Sequence, residues 1–108
     1  MKDEIFIKML GKSQHVKLLL FIYRNSDFLG SMTKLAKDLG ISHPTLRKIV
    51  KDLVDIGVLK KIDIGKAIIV RANKSCPYTK ILFDFISNIE SMELMDELQK
   101  MNEEENVK

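Results

Sequence analysis

The sequence predicts a mainly α-helical domain with one small β-hairpin, and three observations lead to this prediction. Residues 31–57 contain two short amphipathic helices that are separated by a tight turn. Residues 58–72 form two β-rich runs around Gly65-Lys66, in the alternating pattern of a hairpin. Residues 78–108 contain neither proline nor glycine, which is typical of one long helix. Because a helix-turn-helix followed by a hairpin is a winged helix-turn-helix, we expect that architecture with a long C-terminal dimerisation helix.

In the N-terminal part of the chain the sequence predicts one helix. It leaves the secondary structure of a second segment undecided. Residues 1–12 fit either a short amphipathic helix or a strand. Ser13 is a suitable N-cap for a helix over about 14–24, whose apolar side chains extend almost all the way round. Residues 25–30 have the composition of a turn and precede Ser31, a suitable N-cap for the next helix.

The helix-turn-helix is predicted from its turn residues. Gly40 is suited to end the first helix, since glycine enters the left-handed conformation without a steric penalty. Ser42 is a suitable N-cap for a second helix over about 43–56, and Pro44 fits its first turn. One set of apolar residues in this second helix repeats at helical period and is expected to be buried: Leu46, Ile49, Val50 and Leu53. An ordinary helical hairpin with a solvated face is the alternative.

A short helix with cations on its outward side fits the DNA major groove, and a wing fits the phosphate backbone or minor groove. Thr45 could contact a thymine methyl group, and Arg47 or Lys48 could donate to guanine. Lys51 lies further along the helix and is expected to meet phosphate. The complete set of predicted DNA-binding residues is Ser42, His43, Pro44, Thr45, Arg47, Lys48, Lys51 and Lys66.

Residues 10–83 resemble the winged helix-turn-helix transcription regulators of the broad MarR/ArsR type, and small archaeal members in particular. The matching motifs include Leu35-Ala, Leu39-Gly-Ile-Ser-His-Pro-Thr-Leu, Gly57-Val-Leu and Ile64-Gly-Lys. The resemblance implies a homodimer that binds pseudo-palindromic double-stranded DNA and represses or activates a promoter. Val70 departs from the pattern, because many relatives have an aromatic residue just after the wing.

The charge distribution is strongly asymmetric along the chain. Residues 1–83 carry 16 positive and 7 negative side chains, a net charge of +9. Residues 84–108 carry 2 positive and 8 negative side chains, a net charge of −6. A basic part and an acidic tail suit a domain that binds a polyanion and keeps one segment away from it.

The last helix is predicted to form a dimer interface. A helix of about 24 residues spans roughly 36 Å, longer than a winged-helix body needs for its own cover. Its apolar residues at nearly heptad spacing are Tyr78, Leu82, Phe85, Ile89 and Met92. A helix folded back on its own domain is the alternative. We therefore expect a DNA-binding domain over 1–76 and a dimerisation helix with an acidic tail over 77–108.

Several function classes are disfavoured by the composition. No apolar run approaches the roughly 18–20 residues that span a membrane, and the N-terminus lacks the apolar region of a signal peptide. The single cysteine, Cys76, cannot form an internal disulfide, so a cytoplasmic location is expected. With only His15 and His43 beside that cysteine, neither a metal site nor a cofactor is expected.

The chain contains no glycine-rich phosphate loop and no nucleophile with a matching base, so we expect a protein that is not an enzyme. A sequence-specific, dimeric DNA-binding transcription regulator is the leading hypothesis. A winged helix used as a protein-interaction module is one alternative, and a non-specific architectural or replication-linked DNA binder is another. Whether a small-molecule effector acts on the protein is left open by the sequence.

Overall fold

The computed structural model describes residues 3–106, which form five α-helices and one three-stranded sheet. In chain order the elements are α1 (Glu4–Leu10), α2 (Gln14–Arg24), β1 (Leu29–Ser31), α3 (Met32–Leu39), α4 (His43–Asp55), β2 (Leu59–Ile64), β3 (Ala67–Ala72) and α5 (Pro77–Asn106). The predicted winged helix-turn-helix is therefore confirmed. Its helix-turn-helix is α3 and α4, and its wing is the hairpin of β2 and β3.

The helix boundaries follow the predicted capping residues. The Ser13 hydroxyl accepts a hydrogen bond from the Val16 N–H at 3.0 Å, and α2 begins there. Ser31 and Ser42 cap α3 and α4 in the same way. Gly40 ends α3 in the left-handed conformation, with a φ angle of 66°. The sharp turn between α3 and α4 thus depends on a backbone geometry that glycine adopts without strain.

The sheet contains one strand that the sequence did not predict. The wing turns through Gly65 and Lys66, with Ile64 opposite Ala67 in an antiparallel register. On its other edge β3 pairs with β1, so the strand order is β1-β3-β2. Residues 25–30 were predicted only as a turn, but β1 begins at Leu29 within that segment. A three-residue strand has too little sequence pattern to be recognised before its partner is known.

The main core lies between α2, the helix-turn-helix and the sheet. The predicted stripe of α4 is buried there, and Leu46 is 0% exposed. Val70 is also 0% exposed and holds the wing against the helices from the middle of β3. The remaining fully buried side chains of this core come from α2, α3, α4 and β2, and they include Leu18, Ile22, Leu35, Val50 and Leu59.

A second, smaller cluster explains why α2 is apolar almost all the way round. Phe6 of α1, Leu20 of α2 and Ile86 of α5 pack together and are at most 5% exposed. The opposite side of α2 faces the main core, so both of its sides are covered within one chain. The choice between helix and strand for residues 1–12 is settled, because Glu4–Leu10 is a helix. Residues 1 and 2 lie outside the described range.

An ionic bridge joins the three helices of the second cluster. The Arg24 guanidinium on α2 donates to Glu90 on α5 at 2.7 Å and also bonds to the Asp3 carboxylate beside α1. These bonds raise the pKa of Arg24, with the Asp3 hydrogen bond as the largest cause. Tyr23 adds an edge-to-face contact with Phe83 on α5, with ring centroids 5.3 Å apart. The first half of α5 is therefore packed against its own chain.

The C-terminal helix is longer than predicted. α5 contains 30 residues rather than about 24 and continues to Asn106. Its second half extends beyond the packed body, and the molecule measures 65 × 27 × 21 Å. Exposed apolar side chains on this half include Leu94, Met95, Leu98 and Met101. None of the helices within residues 3–106 is long and apolar enough to cross a membrane.

Candidate nucleic-acid interface

The outward side of α4 carries the predicted DNA-binding residues in three directions. Helical spacing directs His43 and Arg47 toward the wing, and Lys48 and Lys51 directly away from the core. Thr45 lies on the side away from the wing and is half-buried. The other predicted residues of the turn and of the first helical turn, Ser42, His43 and Pro44, are exposed.

A cleft between α4 and the wing brings three predicted residues together. His43, Arg47 and Lys66 line a cleft of about 410 Å³. The start of α3 forms the third wall of this cleft, with Ser31, Met32 and Thr33. Lys66 is brought to its edge by the tight turn of the hairpin, and the buried stripe of α4 turns Arg47 toward it. The sequence predicted these residues separately, and the fold gathers them on one concave surface.

Lys61 joins this surface, although it was not among the DNA-binding residues predicted from the sequence. Together with Arg47 and Lys51 it lines an adjoining cleft of about 550 Å³ between α4 and the wing. The strand register explains its direction, because Lys61 stands opposite Val70, the buried centre of β3. The two-residue turn at Gly65-Lys66 fixes that register, so the hairpin motif already contained the information needed to find Lys61.

The cations of the α4–wing surface are free to bind an anion. We use this name for Arg47, Lys48, Lys51, Lys61 and Lys66. Across the described residues 3–106, none of these five side chains forms an ion pair within the chain. Asp55 also lines the larger of the two clefts, whereas Asp52 on α4 lies 3.1 Å from His15 of α2. The surface therefore has an excess of unpaired positive charge.

Thr45 forms hydrogen bonds that stabilise the start of α4, in addition to its predicted DNA contact. Its hydroxyl oxygen accepts a hydrogen bond from the Ser42 hydroxyl at 2.9 Å, and its backbone N–H donates to the same Ser42 oxygen at 3.4 Å. The Thr45 hydroxyl thus belongs to the cap of α4. Its methyl group is not needed for these bonds and remains the part suited to a thymine.

The five predicted dimerisation residues do not share one exposed face. Tyr78 and Met92 are 61% and 64% exposed, and Phe85 is 36% exposed. Leu82 and Ile89 are partly buried because they pack against the second cluster of their own chain. The exposed apolar side chains of α5 at helical spacing are instead Tyr78, Ile81, Phe85, Met92 and Met95. The side of α5 that contains Leu82 and Ile89 is therefore folded back on its own domain, as in the alternative to a dimer interface.

In the part of the chain from residue 3 to residue 106, no group of three or more His, Cys, Asp or Glu side chains is placed so that it could hold a metal ion. Cys76 is buried at the start of α5, with its thiol 3.7 Å from the Ile56 carbonyl oxygen. Burial by itself raises the pKa of this thiol, but hydrogen bonds from the N–H groups of Thr79 and Tyr78 outweigh it, and the net pKa is lowered.

The fold of this chain is similar to that of several solved structures. No protein-family model and no curated protein matches the sequence. The Archaeoglobus fulgidus protein AF1382 superposes with a TM-score of 0.64 at 24% identity, covering 81% of this chain and 96% of that one. MepR, a transcription regulator of a multidrug efflux pump of Staphylococcus aureus, gives 0.66 at 17% identity, with 97% and 76% covered. MepR has also been solved in complex with DNA.

A third similar structure is a small archaeal DNA-binding protein. Sso10a-2 of Sulfolobus solfataricus gives a TM-score of 0.55 at 18% identity, covering 88% of this chain and 94% of that one. At such identities the likeness establishes the fold. The resemblance inferred from the sequence is confirmed at that level: the chain has the winged helix-turn-helix fold found in transcription regulators and in small archaeal DNA-binding proteins.

Proposed function

We propose that the protein is a homodimeric, sequence-specific DNA-binding transcription regulator. In this proposal α4 enters the major groove, and the wing at Gly65-Lys66 contacts the backbone or the minor groove. The α4–wing surface is the observation that carries the proposal, because its five cations have no ion-pair partner among residues 3–106 and four of them line two adjoining clefts between α4 and the wing. Catalysis has no part in this function, and the acidic end of α5 is directed away from the polyanion.

The similar structures support DNA as the partner. MepR is described as a transcription regulator and has been solved with DNA, and Sso10a-2 is described as a DNA-binding protein. A protein-interaction module would not need outward cations on the recognition helix, whereas Arg47, Lys48 and Lys51 are retained here. The apolar residues exposed along α5 support a dimer, since exposed apolar patches of this kind usually mark an interface.

Phosphate contacts by the wing give the first prediction. Each neutralised phosphate contributes about −0.9 to the slope of log K against log salt concentration. Lys66→Gln is therefore expected to flatten the slope by about 0.9 per subunit and to weaken binding to all duplex sequences alike. Fluorescence anisotropy with a labelled duplex at several salt concentrations measures both effects.

Lys100→Gln is the matched control for this variant, because it removes the same charge from the acidic half of α5. Its salt slope should equal that of the unmodified protein. An equal flattening by both variants would mean that net charge alone sets the affinity. A salt-independent affinity of the unmodified protein would favour the protein-interaction module.

Base recognition by α4 gives the second prediction. Lys48→Ala removes an exposed donor, and Thr45→Ser removes only the methyl group while keeping the hydroxyl that bonds to Ser42. Each change is expected to relax preference at particular positions of the binding site, by about 1–3 kcal/mol at a guanine contact. Affinities for a set of single-base variants of the site measure this preference.

The fold should be unaffected by these two changes, so the thermal unfolding midpoints serve as the control. If both variants retain full selectivity, recognition resides in the wing or in DNA shape, and the assignment of these two side chains is wrong.

A further inference from the structure

A second group of cations lies on the side of the sheet that faces away from α4. Lys60 on β2 stands directly opposite Arg71 on β3 in the antiparallel register. Successive side chains of a strand alternate between the two faces of its sheet. Because the next pair along the strands, Lys61 and Val70, lies on the face that packs against the helices, Lys60 and Arg71 lie on the opposite face, and both are exposed.

These two cations line a cleft at the base of the wing, which we call the outer cleft. Its volume is about 390 Å³, and Lys74 adds a third cation from the loop between β3 and α5. Ser26 and Asp27, which precede β1, also line it. Three cations against one carboxylate leave the outer cleft with a net charge of +2.

The cations of the outer cleft are incompletely neutralised by the protein itself. Like charges directly opposite each other on neighbouring strands destabilise a sheet. Among the side chains that the structure describes, neither Lys60 nor Arg71 forms an ion pair. Lys74 bonds to Asp27, but the Asp27 side chain is 92% exposed, and ion pairs at the surface contribute little. An anion between these cations would relieve their repulsion, so the outer cleft favours an anionic ligand.

We propose that the outer cleft binds the phosphate group of a small molecule. The Arg71 guanidinium presents its donors in a planar fork that matches a phosphate, and the two lysines add point charges. A terminal phosphate has three oxygens, so it can accept hydrogen bonds from all three cations at once. The volume of the cleft is within the range of roughly 300–1,000 Å³ that is typical of small-molecule sites. This inference goes beyond the proposed function and does not depend on it.

The loop that carries Lys74 is held in place by the chain itself. The Asn73 side-chain amide donates to the Gly57 carbonyl oxygen at 3.0 Å, and the Asn73 backbone N–H donates to the Val58 carbonyl oxygen at 2.9 Å. The Ser75 hydroxyl donates to the Asn73 side chain at 2.8 Å. Binding of a ligand therefore requires little further ordering of this loop, and such preorganisation favours affinity.

The outer cleft is separate from the α4–wing surface. Lys60 precedes the end of β2 at Ile64 by four residues, so the cleft lies roughly 13 Å from the wing tip at about 3.3 Å per residue. Its cations also point away from α4, from the other face of the sheet. A duplex on the α4–wing surface would leave the outer cleft open, so we expect a small ligand and DNA to be bound at the same time.

Glycerol 3-phosphate is a suitable probe, because it is a small phosphate monoester. Amide NMR of the nitrogen-15-labelled full chain reports each surface through its own signals. We expect saturable shifts at Lys60, Arg71 and Lys74, at lower ligand concentrations than any shift on α4. Succinate has a similar charge but only two oxygens on each carboxylate, and it should bind at least about tenfold more weakly. Equal affinity for succinate would mean that charge alone is recognised and would overturn the assignment to phosphate.

A double substitution tests the two cations that face each other. Lys60→Gln combined with Arg71→Gln is expected to raise the dissociation constant for glycerol 3-phosphate at least about tenfold, because two of the three charge-assisted contacts are lost. Lys8→Gln combined with Lys100→Gln is the matched control, since it removes two cations from α1 and α5. It should leave the dissociation constant unchanged. Equal effects of the two double variants, or no effect of either, would overturn the site.

Duplex DNA distinguishes the two sources of a phosphate group. A saturating duplex is expected to shift the amide signals of α4 and of the wing tip and to leave the dissociation constant for glycerol 3-phosphate unchanged. Displacement of glycerol 3-phosphate by a stoichiometric duplex would assign the outer cleft to the DNA backbone and overturn the small-molecule site. A protein that binds glycerol 3-phosphate in this cleft but binds no DNA would support this inference and overturn the proposed function.

Discussion

Ile81→Lys is expected to convert the proposed homodimer into a monomer. Ile81 is 66% exposed in one chain, so the change leaves the packed body intact. A lysine in the dimer interface would be a buried charge without a partner, which strongly destabilises the interface. Because a monomer engages one half-site, its affinity for a complete DNA site is expected to fall about 100-fold or more. Sedimentation equilibrium and anisotropy titration measure the two effects.

Leu98→Lys is the matched control for this variant. Leu98 is an exposed aliphatic residue of the same helix, 51% exposed, but helical spacing places it on a different side of α5 from Ile81. We expect Leu98→Lys to remain dimeric and to bind DNA with normal affinity. If Leu98→Lys dissociates the dimer and Ile81→Lys does not, the interface lies on the other side of α5.

Leu46→Ala is expected to lower the free energy of unfolding by about 2–5 kcal/mol. Leu46 is 0% exposed and joins α4 to the main core, so the shorter side chain leaves a cavity under the recognition helix. Small domains have roughly 5–15 kcal/mol of total stability, so this loss would be a large part of it. Urea unfolding followed by circular dichroism measures the change.

Lys48→Ala is the control, because Lys48 lies on the exposed side of the same helix. Surface changes of this kind usually alter stability by no more than about 0.5 kcal/mol. A loss below about 1 kcal/mol for Leu46→Ala would mean that α4 is not anchored through this residue, and the orientation of its outward side would be in doubt.

The local signals in the sequence were sufficient to predict the helix-turn-helix and the wing. Ser42 and Pro44 define the start of α4 through backbone capping, which requires no distant contact. Gly40 likewise determines the turn by its own conformation. The tip at Gly65-Lys66 sets the register of the hairpin. These features depend on residues that are close together in the chain.

Elements that depend on distant contacts were predicted incompletely. β1 exists because it pairs with β3, about forty residues further along the chain. α1 is a helix because Phe6 packs against α2 and α5, whereas its own pattern also fitted a strand. The dimerisation residues stay a prediction, but their contacts within one chain likewise depend on residues that are distant in sequence. Leu82 and Ile89 fit a heptad in sequence, but contacts with their own chain turn them inward and leave Ile81 and Met95 outside.

Selection of bound duplexes from a random DNA pool is the most direct test of the proposed function. The full-length protein is incubated with the pool at moderate salt, and the retained sequences are determined. We predict enrichment of one motif with two inverted half-sites, their centres separated by about one helical turn (~10 base pairs) or a multiple of it. Retention of DNA without any enriched motif would contradict sequence-specific recognition and favour the non-specific DNA binder. Failure to retain DNA would contradict the account as a whole.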